Sequence, residues 1–179
     1  MKRAWLAAAL LPVLGACAIT VITRSFGPLQ ITEADGSTVS ITGLDYRTNI
    51  QDEEGNLVIC KNWATTITYR FRYNVAPASW TSTFSGDLSG DKRSFDYSLT
   101  TGSPDVTQYN DQMVEVSATF TPTDLAPAAV RVKPASVVIT PPPAASQVGG
   151  TRLSVTFVTA GGRTGTVSFP SIPVYDSCS

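Results

Sequence analysis

Thr65-Thr66-Ile67-Thr68-Tyr69-Arg70-Phe71-Arg72-Tyr73 is the stretch that decides the fold. Ile67, Tyr69, Phe71 and Tyr73 fall on every second position, with Thr66, Thr68, Arg70 and Arg72 between them. Successive side chains of a strand point to opposite faces, so this period of two separates an apolar side from a polar one. Such a strand has one face in a core and the other in water, as antiparallel sheets do.

The same alternation recurs on both sides. Met113–Thr121 sets Val114, Val116, Ala118 and Phe120 against Glu115, Ser117 and Thr119, and Ser94–Leu99 alternates through Phe95, Tyr97 and Leu99. Leu29–Ala34 and Ser37–Leu44 flank Asp35-Gly36, a hairpin signal because a type I′ turn wants φ > 0 at both central residues. Arg152–Thr159 and Arg163–Phe169 surround Gly161-Gly162, which predicts a second hairpin. Between these runs, Asn49–Asn56 reads as an acidic loop and Gly102–Tyr109 as loop. Ala76–Lys92, rich in Ser, Gly and Asp, reads as a long loop or irregular edge, with Trp80 and Phe84 available to cover the core. Six of the twelve prolines lie in residues 121–143 and break it into Ala129–Lys133, Ser136–Thr140 and a stiff Pro141-Pro142-Pro143 connector. Proline donates no ladder hydrogen bond, so these pieces should be edge strands or sheet-switching bends. Pro170–Ser179 is an extended tail.

No window of a dozen residues after residue 16 has helical periodicity. Roughly nine or ten short strands with turn signals between them predict an all-β, antiparallel two-sheet sandwich over residues 29–179. An immunoglobulin-like Greek key is the default topology. The Cys…Trp…Cys spacing of true immunoglobulin domains is missing, because Cys178 lies at the very end. No fixed-period repeat is visible.

The N-terminus has a different character. Lys2 and Arg3 form a basic head, Ala4–Leu14 is apolar apart from Pro12, and Leu14-Gly15-Ala16-Cys17 closes the run. A basic head, a short apolar stretch and small residues at a cut site are the parts of a secretory signal. Leu14-Gly15-Ala16-Cys17 resembles the lipobox of bacterial lipoproteins. The resemblance implies that residues 1–16 are a signal helix that is removed, and that Cys17 carries lipid on its thiol as the new N-terminus. Residues 17–28 are then a lipidated start and a short tether or edge strand, since Ile19, Val21 and Ile22 favour β structure. Ala16-Cys17-Ala18 also fits an A-x-A site for ordinary signal peptidase, which would release a secreted protein without lipid. The apolar run falls short of the ~20 residues needed to span a bilayer.

Composition narrows the function classes. The formal net charge is −1 and no stretch is strongly basic, so the electrostatic footprint of nucleic-acid binding is missing. Polybasic attraction to anionic lipid is missing as well, which leaves the lipid on Cys17 as the membrane contact. Length suits one domain. Apart from Cys17 there are two cysteines, Cys60 and Cys178, which an exported chain is expected to pair as a disulfide. There is no histidine. That removes Ser-His-Asp and Cys-His triads, the commonest general base and the usual zinc ligands. Neither a metal site of soft ligands nor a cofactor is expected, and G-x-S-x-G, P-loop and S-x-x-K motifs do not occur.

Two carboxylate groupings remain. Asp52-Glu53-Glu54 are neighbours in a loop, where adjacent side chains fan apart. Asp87 and Asp91, around Gly90 and followed by Asp96, are a calcium candidate without EF-hand spacing. Trp63, Trp80, Tyr109 and Tyr175 are candidates for stacking on sugars or anchoring a partner, although Trp63, beside Cys60, also reads as a core plug. The expectation is a non-catalytic, lipid-anchored protein of the bacterial cell envelope, at the outer membrane and facing the periplasm or the surface. It would act as a binding or structural module for another envelope protein or a surface glycan. A different class is an envelope glycan hydrolase using carboxylates alone, marked by a cleft with two carboxyl groups about 5–10 Å apart. A third reading is a secreted adhesin-like domain. A flat Thr-rich face or an uncovered sheet edge would mark a binder.

Overall fold

The computed structural model describes residues 24–88, 90–109, 112–120, 137–138 and 146–178, which form fourteen strands and no helix. The signal segment 1–16, Cys17, the Ala129–Lys133 piece and the Pro141-Pro142-Pro143 run lie outside the described residues. In chain order the strands are β1 (Arg24–Phe26), β2 (Leu29–Thr32), β3 (Thr38–Thr48), β4 (Ile50–Gln51), β5 (Ile59–Cys60), β6 (Thr65–Tyr73) and β7 (Ser79–Gly86). They continue as β8 (Lys92–Tyr97), β9 (Val106–Gln108), β10 (Met113–Phe120), β11 (Val137–Val138), β12 (Gln147–Val158), β13 (Thr164–Ser168) and β14 (Ile172–Tyr175).

Two sheets face each other as a sandwich. The first runs β1-β3-β6-β10-β9, with β2 also on β3. β1 and β2 follow one register along β3, from Arg24 opposite Tyr46 to Thr32 opposite Thr38, interrupted at Gly27-Pro28. The second runs β5-β14-β12-β7-β8, with β13 also on β12. Here too one leg of chain is split, at Phe169-Pro170, into β13 and β14. Proline's missing N–H explains both interruptions. The sheets are antiparallel except where β14 takes on β5, and a separate two-residue pair, β11 on β4, is parallel as well.

The apolar face of β6 is what closes the core. Ile67, Tyr69 and Phe71 are wholly buried. Phe71 meets Trp80 and Phe157 of the other sheet edge-on, at 5.3 and 5.0 Å between ring centroids. Such contacts add to simple area burial because the positive ring edge meets the negative face. A smaller cluster of Ile50, Val58, Cys60 and Cys178, with Trp63 and Tyr175 packed on it, surrounds the Cys60–Cys178 disulfide. Its Cα atoms are 5.8 Å apart, and it joins positions 118 residues distant.

Three local readings need correction. Ala76–Lys92 is no loop: it contains β7, a central strand paired with β12 on one side and β8 on the other. The alternation Trp80, Ser82, Phe84 was masked by serine, and Ser82 is tolerated inside because its hydroxyl meets that of Tyr69 at 2.5 Å. Val106–Gln108 within the expected 102–109 loop is a short edge strand on β10. The polar side of β6 is not all wet: Thr66 and Thr68 are buried, and bond the hydroxyls of Thr119 and Ser117.

The hairpin turns also differ from expectation. Asp35 does not adopt φ > 0; Gly36 alone does, at 84°. The loop is Ala34-Asp35-Gly36, closed by Glu33 N donating to Ser37 O and Gly36 N to Glu33 O. Glu53-Glu54-Gly55 and Ala160-Gly161-Gly162 repeat that bonding pattern, with φ of 81° and 78° at their last glycine. This is the three-residue hairpin loop in which a turn ends on a left-handed residue, where glycine carries no Cβ penalty.

Candidate functional site

The outer face of the second sheet is built from hydroxyls. Strand register aligns Ser168, Ser154, Thr83 and Ser94 in one row across β13, β12, β7 and β8. The next row is Thr166, Thr156, Thr81 and Asp96. Within each row the outer pairs bond: Ser154 to Ser168 and Thr156 to Thr166, both at 2.9 Å, Thr83 to Ser94 at 3.0 Å, and Thr81 donating to Asp96 at 2.6 Å. A hydroxyl offers one donor and two lone pairs, so a bonded pair still presents one donor and several acceptors outward. Cross-strand Thr and Ser pairs also stabilise the sheet locally. Apart from Asp96, no charged side chain stands in these two rows. Arg152 and Lys92 flank them at the next register position, beside Ser85.

At one end of the sandwich the sheets part to leave a groove of about 610 Å³. Ile59, Phe84, Phe120 and Val174 make its apolar walls, and Asp91, Lys92 and Arg93 stand at its rim. Phe84 of one sheet meets Phe120 of the other edge-on at 4.8 Å, at the base of the opening. Arg93 shares the inward side of β8 with Phe95, its guanidinium carbon 5.3 Å from that ring's centre.

The acidic candidates are occupied with structural tasks. Asp52 Oδ1 accepts the backbone N–H of Glu54 and Asn56, and Oδ2 accepts Asn56 Nδ2 at 3.0 Å. Its neighbours Glu53 and Glu54 are the exposed tip of that turn. Asp87 accepts a hydrogen bond from Ser171 Oγ, lies 3.8 Å from Arg152 Nη2, and donates its backbone N–H to Gly150 O. A Cβ on Gly150 would run into both Ser171 Oγ and Asp87 Oδ2, so only glycine fits beside that pair. Asp91 contributes its carbonyl to Gly86 N. Among the described residues no three His, Cys, Asp or Glu side chains converge as a metal ion would require.

The aromatic candidates separate. Trp80 is wholly buried, so it covers the core and is not a stacking surface. Trp63 is half-buried against the disulfide cluster, with Tyr175 beside it. Tyr109, at the end of the β9–β10 hairpin, is exposed. The structure therefore does not bring Trp63, Trp80 and Tyr109 together. Sequence reading missed the hydroxyl rows, since half of them lie on β7 and β8 beside the misread stretch. The signal was present as Thr81 and Thr83 between Trp80, Ser82 and Phe84.

No protein-family model matches the chain, and no curated protein does. Among solved structures it is similar to the crystal structure of a Niemann-Pick type C2 protein from Japanese carpenter ant. The two share 12% identity and a TM-score of 0.43, over 87% of this chain and 99% of that one.

Proposed function

We propose that this chain is a non-catalytic, lipid-anchored module of the bacterial cell envelope, held by lipid on Cys17 and working by binding or by structural packing. The observation that carries the reading is the pair of in-register hydroxyl rows on β13, β12, β7 and β8. A face with outward donors and acceptors and almost no charge suits a neutral polyhydroxyl glycan or the polar face of another envelope protein. Catalysis by carboxylates alone finds less support, because the Asp52 oxygens are taken up inside their own turn and those of Asp87 by Ser171 and Arg152. The Cys60–Cys178 disulfide fits a compartment outside the cytosol.

The strand order supports an immunoglobulin-like Greek key as the finer description of the fold. Taking β3, β6, β10 and β9 as strands A, B, E and D, and the β13–β14 leg, β12 and β7 as G, F and C, reproduces the constant-type order. β8 is then an added strand next to C, and the β1–β2 leg an added edge.

Two measurements test the reading. The mass of the N-terminal peptide of the native protein should be that of residue 17 plus acyl chains; a start at Ile19 with no added mass replaces the anchored module by the secreted adhesin-like one. Thr81→Lys with Thr156→Lys places two cations on the hydroxyl face without touching the core. That variant should fold normally yet lose co-sedimentation with envelope fragments stripped of lipid; unchanged co-sedimentation removes the face from the proposal.

A further inference from the structure

The end of the sandwich that carries the groove is also the end from which the chain enters. β1 runs from Arg24, opposite Tyr46, so it comes in from the side where β3 ends at Thr48, β6 starts at Thr65 and β10 ends at Phe120. Phe120 is a wall of the groove. Arg24 sits three strands across from β10 and four register positions short of Phe120. With strands ≈ 4.8 Å apart and ≈ 3.3 Å per residue along each, that is about 14 Å by about 13 Å. Six residues, 18–23, lie between Cys17 and Arg24, so seven Cα-to-Cα steps join the two. An extended chain of that length reaches about 24 Å. A lipid on Cys17 therefore stays within reach of the groove mouth, and a bilayer holding that lipid lies against the same end of the domain.

We propose that the groove walled by Ile59, Phe84, Phe120 and Val174 is an acyl-chain site, with Lys92 and Arg93 at its mouth facing the anionic head or carboxylate of the bound lipid. The inference rests on the lipid-anchor reading. The apolar walls come from both sheets, the volume falls in the range of small-molecule sites, and its charged groups are the consecutive residues Asp91, Lys92 and Arg93, as in a pocket that orients an amphiphile. A linear chain bound there covers the half-buried Ile59, Phe120 and Val174 above the buried Phe84, and removing that apolar surface from water is the driving force such a site needs. Among the described residues, Lys92 and Arg93 stand at the rim beside Asp91. The shared chemistry is the acyl chain; its source is either the anchor of the same molecule or a lipid of the adjoining bilayer.

A diazirine-bearing palmitic acid, crosslinked by light to the full chain and mapped by mass spectrometry, tests this. Labelling should concentrate on the peptides carrying Ile59, Phe84, Phe120 and Val174. Val174→Trp fills the groove and should cut that labelling roughly tenfold, a loss equivalent to about 1.4 kcal/mol. Lys92→Glu, on the exposed rim, should weaken uptake of the fatty acid while leaving its uncharged methyl ester unaffected; it guards against a Val174→Trp protein that has not folded. Labelling spread over the surface, or undiminished in both variants, overturns the proposal. Comparing wild type with Cys17→Ala separates the sources. Lower labelling of the wild type identifies its own anchor as the occupant, and equal labelling identifies bilayer lipid. The N-terminal mass judges the anchor independently: an unacylated Cys17 with the groove still labelled retains the site and discards the tether.

Discussion

Trp80 Nε1 donates to the Tyr69 hydroxyl at 2.8 Å, joining the two sheets by a hydrogen bond that no solvent reaches. Tyr69 stands on β6 and Trp80 on β7, and the same hydroxyl meets Ser82 Oγ, so three polar groups in the middle of the core satisfy one another. Buried polar groups are tolerated on that condition.

Tyr69→Phe removes the shared partner and leaves the indole N–H and the Ser82 hydroxyl facing apolar neighbours. Stability should fall by roughly 1–3 kcal/mol, read as a lower urea midpoint with an unchanged slope. Combining Tyr69→Phe with Ser82→Ala should cost less than the sum of the two singles, because the second change removes one of the orphaned groups.

The same phenol gives a pH dependence with a definite sign. Burial pushes the Tyr69 pKa far above that of a free tyrosine, with the Ser82 hydrogen bond opposing the shift. The folded state therefore keeps a proton that the unfolded chain releases above about pH 10. Where the folded state binds more protons, stability declines as pH rises, so it should fall progressively above about pH 10. Denaturation at pH 9 and 11 checks this; Tyr69→Phe should lose part of the drop, and an equal drop in both proteins refutes it.

Asp35 offers the opposite case on the surface. The Ser37 hydroxyl and then its backbone N–H, at 2.7 and 2.9 Å from Oδ1, hold the Asp35 carboxyl below its ordinary value. The folded turn thus prefers the carboxylate, and its contribution is present above the ordinary carboxylate pKa and lost as pH falls through the lowered one. In a carboxyl-carbon NMR titration, Ser37→Ala should move the Asp35 midpoint upward.

The turns show how far the sequence could be read. Period-two alternation made β6, β10 and the two glycine hairpins legible, because each pattern reflects one face turned to a core. Two features escaped it. The precise turn was missed at Asp35-Gly36, because a dipeptide cannot distinguish a two-residue from a three-residue loop; that is decided by which flanking residues pair. β7 was missed because Ser82, a polar residue on the inward face, breaks the apolar count, and its partner Tyr69 lies on the other sheet. The hydroxyl face went with it. The groove needed both sheets in place before Phe84 and Phe120 could be seen to meet.

The three matching turns make glycine's role measurable. Gly36, Gly55 and Gly162 all sit at positive φ, where an L side chain costs roughly 1–2 kcal/mol. Alanine at Gly162 should therefore destabilise by about that amount. Alanine at Gly27, which is not at positive φ and has open space around it, should cost far less. Thermal melts of the two variants compare them directly, and equal losses would mean that the turn geometry is not what glycine supplies.

The C-terminal tail is held by three devices that can be cut one at a time. Val174 and Tyr175 of β14 pair with Ile59 and Cys60 of β5, and the disulfide joins Cys60 to Cys178. Between them the Asn62 side-chain amide bonds the Cys178 backbone twice, Nδ2 to its carbonyl and Oδ1 from its N–H, both at 3.0 Å. Opening the disulfide frees a loop of over a hundred residues, so Cys60→Ala with Cys178→Ala should cost about 4–5 kcal/mol in the chain-entropy account. Asn62→Ala should cost less, about 1–2 kcal/mol, since it removes two hydrogen bonds from a partly exposed site. Because Ile59 and Val174 also wall the groove, amide exchange in β5 and β14 should accelerate in the double alanine variant while β6 and β10 stay protected. Uniform acceleration across both sheets would show instead that the bridge holds the whole sandwich and not its edge.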